Sequence, residues 1–72
     1  NRYSEKIRKQ AEAYSKMEAA SAAAILQEMT AGDLDLVVGI LSEMSTAKSS
    51  AILAAMDIDA AAQVTKKMTY VE

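Results

Sequence analysis

Two acidic pairs, Asp33-x-Asp35 and Asp57-x-Asp59, come nearest in this chain to a spacing that could do chemistry. Magnesium and calcium need several oxygen ligands converging on one point, so two carboxylates begin a site without completing one. Each pair also stands where a helix should start, and there capping and the helix dipole account for the acids without a metal. Ser45, Thr46, Ser49 and Ser50 bring hydroxyls near Lys48. A Ser–Lys pair is formally available, but no motif surrounds it and the chain has no His to activate a hydroxyl. Cys is absent too, which removes the thiol nucleophile, the preferred zinc ligands and any disulfide. The two glycines, Gly32 and Gly39, stand apart and make no phosphate-binding loop. We expect no enzyme, no cofactor and no metal ligand from these residues.

The elements that would position any site follow from composition. With 72 residues, the chain is one domain near the lower limit of a self-sufficient core. Ala, Met, Leu, Glu, Lys and Gln favour helix, and the aromatics are three Tyr. Half of the residues are apolar, too many for a disordered tail, and no apolar run approaches the roughly 18 residues of a membrane span. The charged start, Asn1 to Gln10, has no apolar stretch of the kind a signal peptide carries. Without disulfides, helix packing or association has to supply the stability.

Methionine then divides the chain. It recurs at 17, 29, 44, 56 and 68, and a similar phrase precedes each of the last four: Ile25-Leu26-x-x-Met29, Ile40-Leu41-x-x-Met44, Ile52-Leu53-x-x-Met56 and, more weakly, Val64-Thr65-x-x-Met68. An aliphatic residue four before Met lies one turn away on the same helix face. A period near twelve suits one short helix and a tight turn, stacked on its neighbours as in a small solenoid. Asp33, Ser45-Thr46 and Asp57 to Asp59 offer caps at the turns, and Gly32 eases one of them. The prediction is all-α, with helices over 3–16, 19–29, 34–44, 47–55 and 59–70 forming a small superhelix.

Within that stack the third helix should be the most buried. Leu34, Val37, Val38, Leu41 and Met44 share one face, and Leu36 and Ile40 widen it. Gly39 costs roughly 1 kcal/mol relative to Ala inside a helix, which a closely approaching neighbour would explain. Ile25, Leu26, Ile52, Leu53, Val64 and the methionines are expected to fill the core between small Ala and Ser residues. Met at helical spacing is core more often than it is a binding groove.

The first segment, 1–16, differs from the repeats of 17–72. Tyr3, Ile7, Gln10, Tyr14 and Met17 are spaced 4, 3, 4, 3 as a short heptad seam. It is either the end of a coiled coil that pairs two copies or a helix packed on its own domain, and the spacing does not choose. Residues 1–16 carry Arg2, Lys6, Arg8, Lys9 and Lys16 against Glu5 and Glu12, a balance of +3. Residues 17–72 carry three Lys against eight acids, a balance of −5. We expect solvated helix faces, with Glu5 and Lys9 paired at i,i+4, and no nucleic-acid partner.

The phrase Met-x-x-x-x-Ala-Ala-x-Ile-Leu-x-x-Met, residues 17–29, resembles the intracellular N-domain of MgtE-type magnesium transporters. The same domain occurs in small flagellar-locus proteins, including MotE-type chaperones of motor proteins. The resemblance covers about residues 14 to 70. The Pro that the family often places two residues after each Met is Ala19, Thr46 and Ile58 here. On the flagellar side the resemblance implies a soluble interaction domain of a membrane-anchored bacterial protein. Its partner would be a motor component, it would pair as a homodimer through the first helix, and the anchor would lie outside this sequence. On the transporter side it implies a regulatory magnesium-sensing domain. The transporter's magnesium-sensing acids are not placed on this chain, so no metal ligand is carried over.

Overall fold

A computed structural model describes residues 2–70; Asn1, Val71 and Glu72, at the outer ends of the two predicted segments, lie outside the described residues. Five helices follow in order: α1 (Arg2–Ser15), α2 (Ala19–Thr30), α3 (Leu34–Ser42), α4 (Thr46–Ala55) and α5 (Ile58–Tyr70). The described residues contain no strand, and the all-α expectation holds. Linkers of two or three residues join the helices. The strongest packing skips one helix: α2 lies on α4, and α1 and α5 flank α3. α2 also touches α3, which ties the two rows into one core.

Each boundary has a local cause. The Asp33 carboxylate accepts from the Leu36 N–H at 3.1 Å, and the Ser45 hydroxyl oxygen accepts from the Lys48 N–H at 3.2 Å. These bonds satisfy donors that the first turns of α3 and α4 leave free. The methionines mark the ends. The N–H of Met17, Met44 and Met56 each donates to the carbonyl three residues back, on Tyr14, Leu41 and Leu53, at 3.1–3.2 Å. That tight turn ends the helix and leaves a long, flexible side chain to fold back over it; Met56 is buried, and the other four methionines pack on the core's edge. Met68 lies inside α5, which runs to Tyr70, and Met29 lies inside α2, which runs on to Thr30 before turning. The longer interval of 15 residues between Met29 and Met44 reflects that extension.

The core holds Leu26, Val37, Ile40, Leu41 and Val64 as its largest fully buried side chains, with Ala22 and Ala23 equally enclosed. Four of the nine residues of α3 are buried, the largest share in any helix. Three expectations need correction. Ile25 is 44% exposed rather than core, because α2 turns Leu26 inward and its neighbour must point away. Gly32 has no positive φ, so its turn does not require glycine. At Gly39, a Cβ would sit 3.7 Å from Cγ2 of Ile7, in ordinary contact, so the approach of α1 leaves room for a methyl.

Candidate interaction site

The acidic pairs resolve into helix starts. Asp33 caps α3 and Asp35 sits in its first turn. The Asp57 carbonyl accepts from the Ala61 N–H at 2.9 Å, and Asp59 occupies the first turn of α5. The N–H of Asp57 donates to the Gln27 side-chain oxygen at 2.8 Å, fastening the start of α5 to α2 across thirty residues of chain. Nothing in the sequence announced that clamp. Asp35 also faces Lys67 at 3.5 Å. Among the described residues, no three His, Cys, Asp or Glu side chains gather where they could hold a metal ion. The hydroxyls near Lys48 serve local backbone. Ser49 and Ser50 donate to the carbonyls of Thr46 and Ala47, and the Lys48 amide donates to Ser45.

The five seam residues divide between inside and outside. Ile7 is 8% exposed and meets Gly39 on α3, while Tyr14 and Met17 pack on the same core. Tyr3, one turn before Ile7 on that face, is 65% exposed, so the core's cover ends at Ile7. Gln10 is exposed. Ala11, four after Ile7, is the most buried residue of α1, at a position the seam spacing passes over. The i to i+4 ion pair on α1 is Glu12 with Lys16 at 3.7 Å, not Glu5 with Lys9. Arg8 reaches Glu43 at 3.8 Å. Both pairs are well exposed and stabilise little.

The remaining features cluster on α5. Ala60, Val64 and Met68, spaced by four, form its inward stripe. Ile58 and Tyr70 each stand two residues off that stripe, about 200° round the helix, and are 86% and 79% exposed. Their phase was visible in the sequence once the stripe is drawn. Leu34, Gln63, Lys66, Lys67 and Tyr70 line a shallow groove of about 380 Å³ between the start of α3 and the end of α5. No helix among the described residues is long and apolar enough to cross a membrane. The site on this molecule is a surface, built of apolar side chains beside charged ones.

Comparison with known proteins gives one family. The model of the MgtE intracellular N domain matches residues 4–72, which includes all of α1 after its first two residues. No curated protein and no solved structure gives a significant match.

Proposed function

The chain belongs to the MgtE intracellular N domain family, a family of non-catalytic regulatory domains, and from that premise we propose that it is a protein-binding domain of a flagellum-associated protein. In this reading it engages a motor component, pairs with a second copy through the open part of α1, and is tethered to the membrane by a segment outside these residues. The observation that carries the protein-binding part is the surface. Tyr70 stands exposed beside Leu34 in the groove at the end of α5, and Tyr3 stands exposed at the open end of the α1 seam; apolar side chains grouped in this way mark contact sites, whereas single ones such as Ile25 do not. Tyr3 and Gln10 are the seam residues that the domain itself does not cover. The flagellar assignment rests on the heptad-spaced segment directly before the methionine repeat, an arrangement similar to that of the flagellar-locus proteins.

The test is site-specific photo-crosslinking in the intact protein in cells. A crosslinker at position 3 should capture a second copy or a motor protein, and one at exposed Lys48 should capture neither. Equal capture from both positions would sink the proposal. The alternative is a magnesium-sensing regulatory domain, the role that the resemblance to the transporters implies. If it holds, millimolar magnesium will raise the melting temperature by many degrees through preferential binding to the folded state. We expect a shift too small to matter.

A further inference from the structure

The two ends of α5 carry complementary surfaces. At its start stands Asp57-Ile58-Asp59, an aliphatic side chain between two exposed carboxylates. Ile58, at 86%, is the most exposed large apolar residue described. The tip is held in place, because the Asp57 N–H is bound by Gln27 and its carbonyl by the Ala61 N–H. At the other end lies the groove of Leu34, Gln63, Lys66, Lys67 and Tyr70. Residues 17–72 contain three lysines, and this groove has two of them. Lys67 is engaged with Asp35 at 3.5 Å; Lys66 makes no ion pair among the described residues.

Charge alone would prove nothing. Acids at a helix start and lysines near its end are what the helix dipole favours. The dipole does not call for an isoleucine in water between the acids, nor for a groove with Leu34 and Tyr70 beside the lysines. Together these make an acidic aliphatic projection at one end and a basic apolar recess at the other. Ile58 and Tyr70 are twelve residues apart on one straight helix, about 18 Å along its axis. A chain therefore cannot seat its own projection in its own groove.

We infer that residues 57–59 of one copy dock into the Leu34–Lys66–Tyr70 groove of a second copy. Such a contact joins different surfaces, so each added copy leaves one projection and one groove free. Twelve residues set Ile58 and Tyr70 about 120° apart round the helix, so two copies do not exchange both contacts at once, and association proceeds head to tail into open chains or rings larger than a dimer. The contact is small, which makes it weak and transient, and its charges make it weaker as salt rises. It does not use α1 and stands or falls independently of pairing there.

Sedimentation equilibrium between micromolar and millimolar concentration is the test, with Tyr3→Glu in every sample to silence pairing through α1. Ile58→Ser removes the projection and Lys66→Glu inverts the groove. Both positions are exposed, and a thermal melt of each variant checks that the fold is kept. The protein without these two changes should rise in average mass beyond a dimer as concentration increases. Each variant alone should stay monomeric. An equal mixture should form a one-to-one complex and stop there, because one partner keeps only the groove and the other only the projection. A parent that stays monomeric at millimolar concentration overturns the inference. So does an Ile58→Ser variant that associates like its parent, or a mixture that remains monomeric.

Discussion

Helices α3 and α4 carry the same phrase in different surroundings. Residues 37–44 and 49–56 align as Val37 with Ser49, Gly39 with Ala51, Ile40 with Ile52, Leu41 with Leu53 and Met44 with Met56. On α3 both aliphatic residues are fully buried; on α4 Ile52 is buried but Leu53 only partly. The cause is position in the stack. α3 is flanked by α1 and α5 and touched by α2, whereas the main partner of α4 is α2 alone. A repeat thus fixes which residues sit on one face of a helix, and the number of neighbours decides how much of that face is covered.

The sharpest way to break this comparison is to truncate the aligned leucines. Leu41→Ala should cost about 2–5 kcal/mol, since the side chain is enclosed and α3 cannot collapse onto the gap from either side. Leu53→Ala should cost less than about 2 kcal/mol, because part of that side chain already meets water. In a domain of this size each kcal/mol moves the melting temperature by roughly 4–8 °C, so far-UV circular dichroism melts separate the two easily. Equal shifts would mean that neighbour number is not what distinguishes the helices. The same logic applies inside α2: Leu26→Ala should cost about 2–5 kcal/mol and Ile25→Ala under about 1.

These pairs also show how much was legible beforehand. The helices were, nearly to the residue. Methionine spacing located the turns, and Asp33 and Ser45 cap where short polar side chains before an apolar run should. The identity of the most buried helix followed from its unbroken apolar face. Ile25 was not legible, because Ile25-Leu26 reads the same as Ile40-Leu41 in the phrase and only the packing separates them. The candidate surface was visible in part. Seam spacing grouped Tyr3 with Ile7, but periodicity puts residues on one face without saying where a partner's cover ends. The groove at the end of α5 depends on a contact between α3 and α5, and contacts between distant segments leave no local trace. The Gln27 to Asp57 bond was hidden for the same reason.

Gly39 offers a gain rather than a loss. Gly39→Ala should stabilise the domain by roughly 0.5–1 kcal/mol, through lower backbone entropy in the unfolded chain. The new methyl would rest 3.7–3.8 Å from the Ile7 side chain, where contact is favourable and nothing has to move. A melt that falls instead would show α1 packed more tightly on α3 than these distances say.

The smallest effect is expected at the aligned position on α4. Ala51 is exposed, and the outward face it shares with Ala47, Lys48 and Ala54 carries no large apolar side chain. Ala51→Glu replaces the best helix former with another good one, at a few tenths of a kcal/mol. The new carboxylate would lie three residues from Lys48, and such a pair returns about 0.2–0.5 kcal/mol. The two terms nearly cancel, so stability should change by no more than about 0.5 kcal/mol. Urea denaturation with a well-defined midpoint has the resolution to see this. A loss well beyond that size, with the helical spectrum intact, would mean that residue 51 is covered in solution. Unfolding of the dilute protein and of the concentrated protein would then differ, because an interface between copies strengthens with concentration and a contact within one chain does not. Finding no such difference alongside a large loss would place the cover inside the domain and overturn the contrast drawn between α3 and α4.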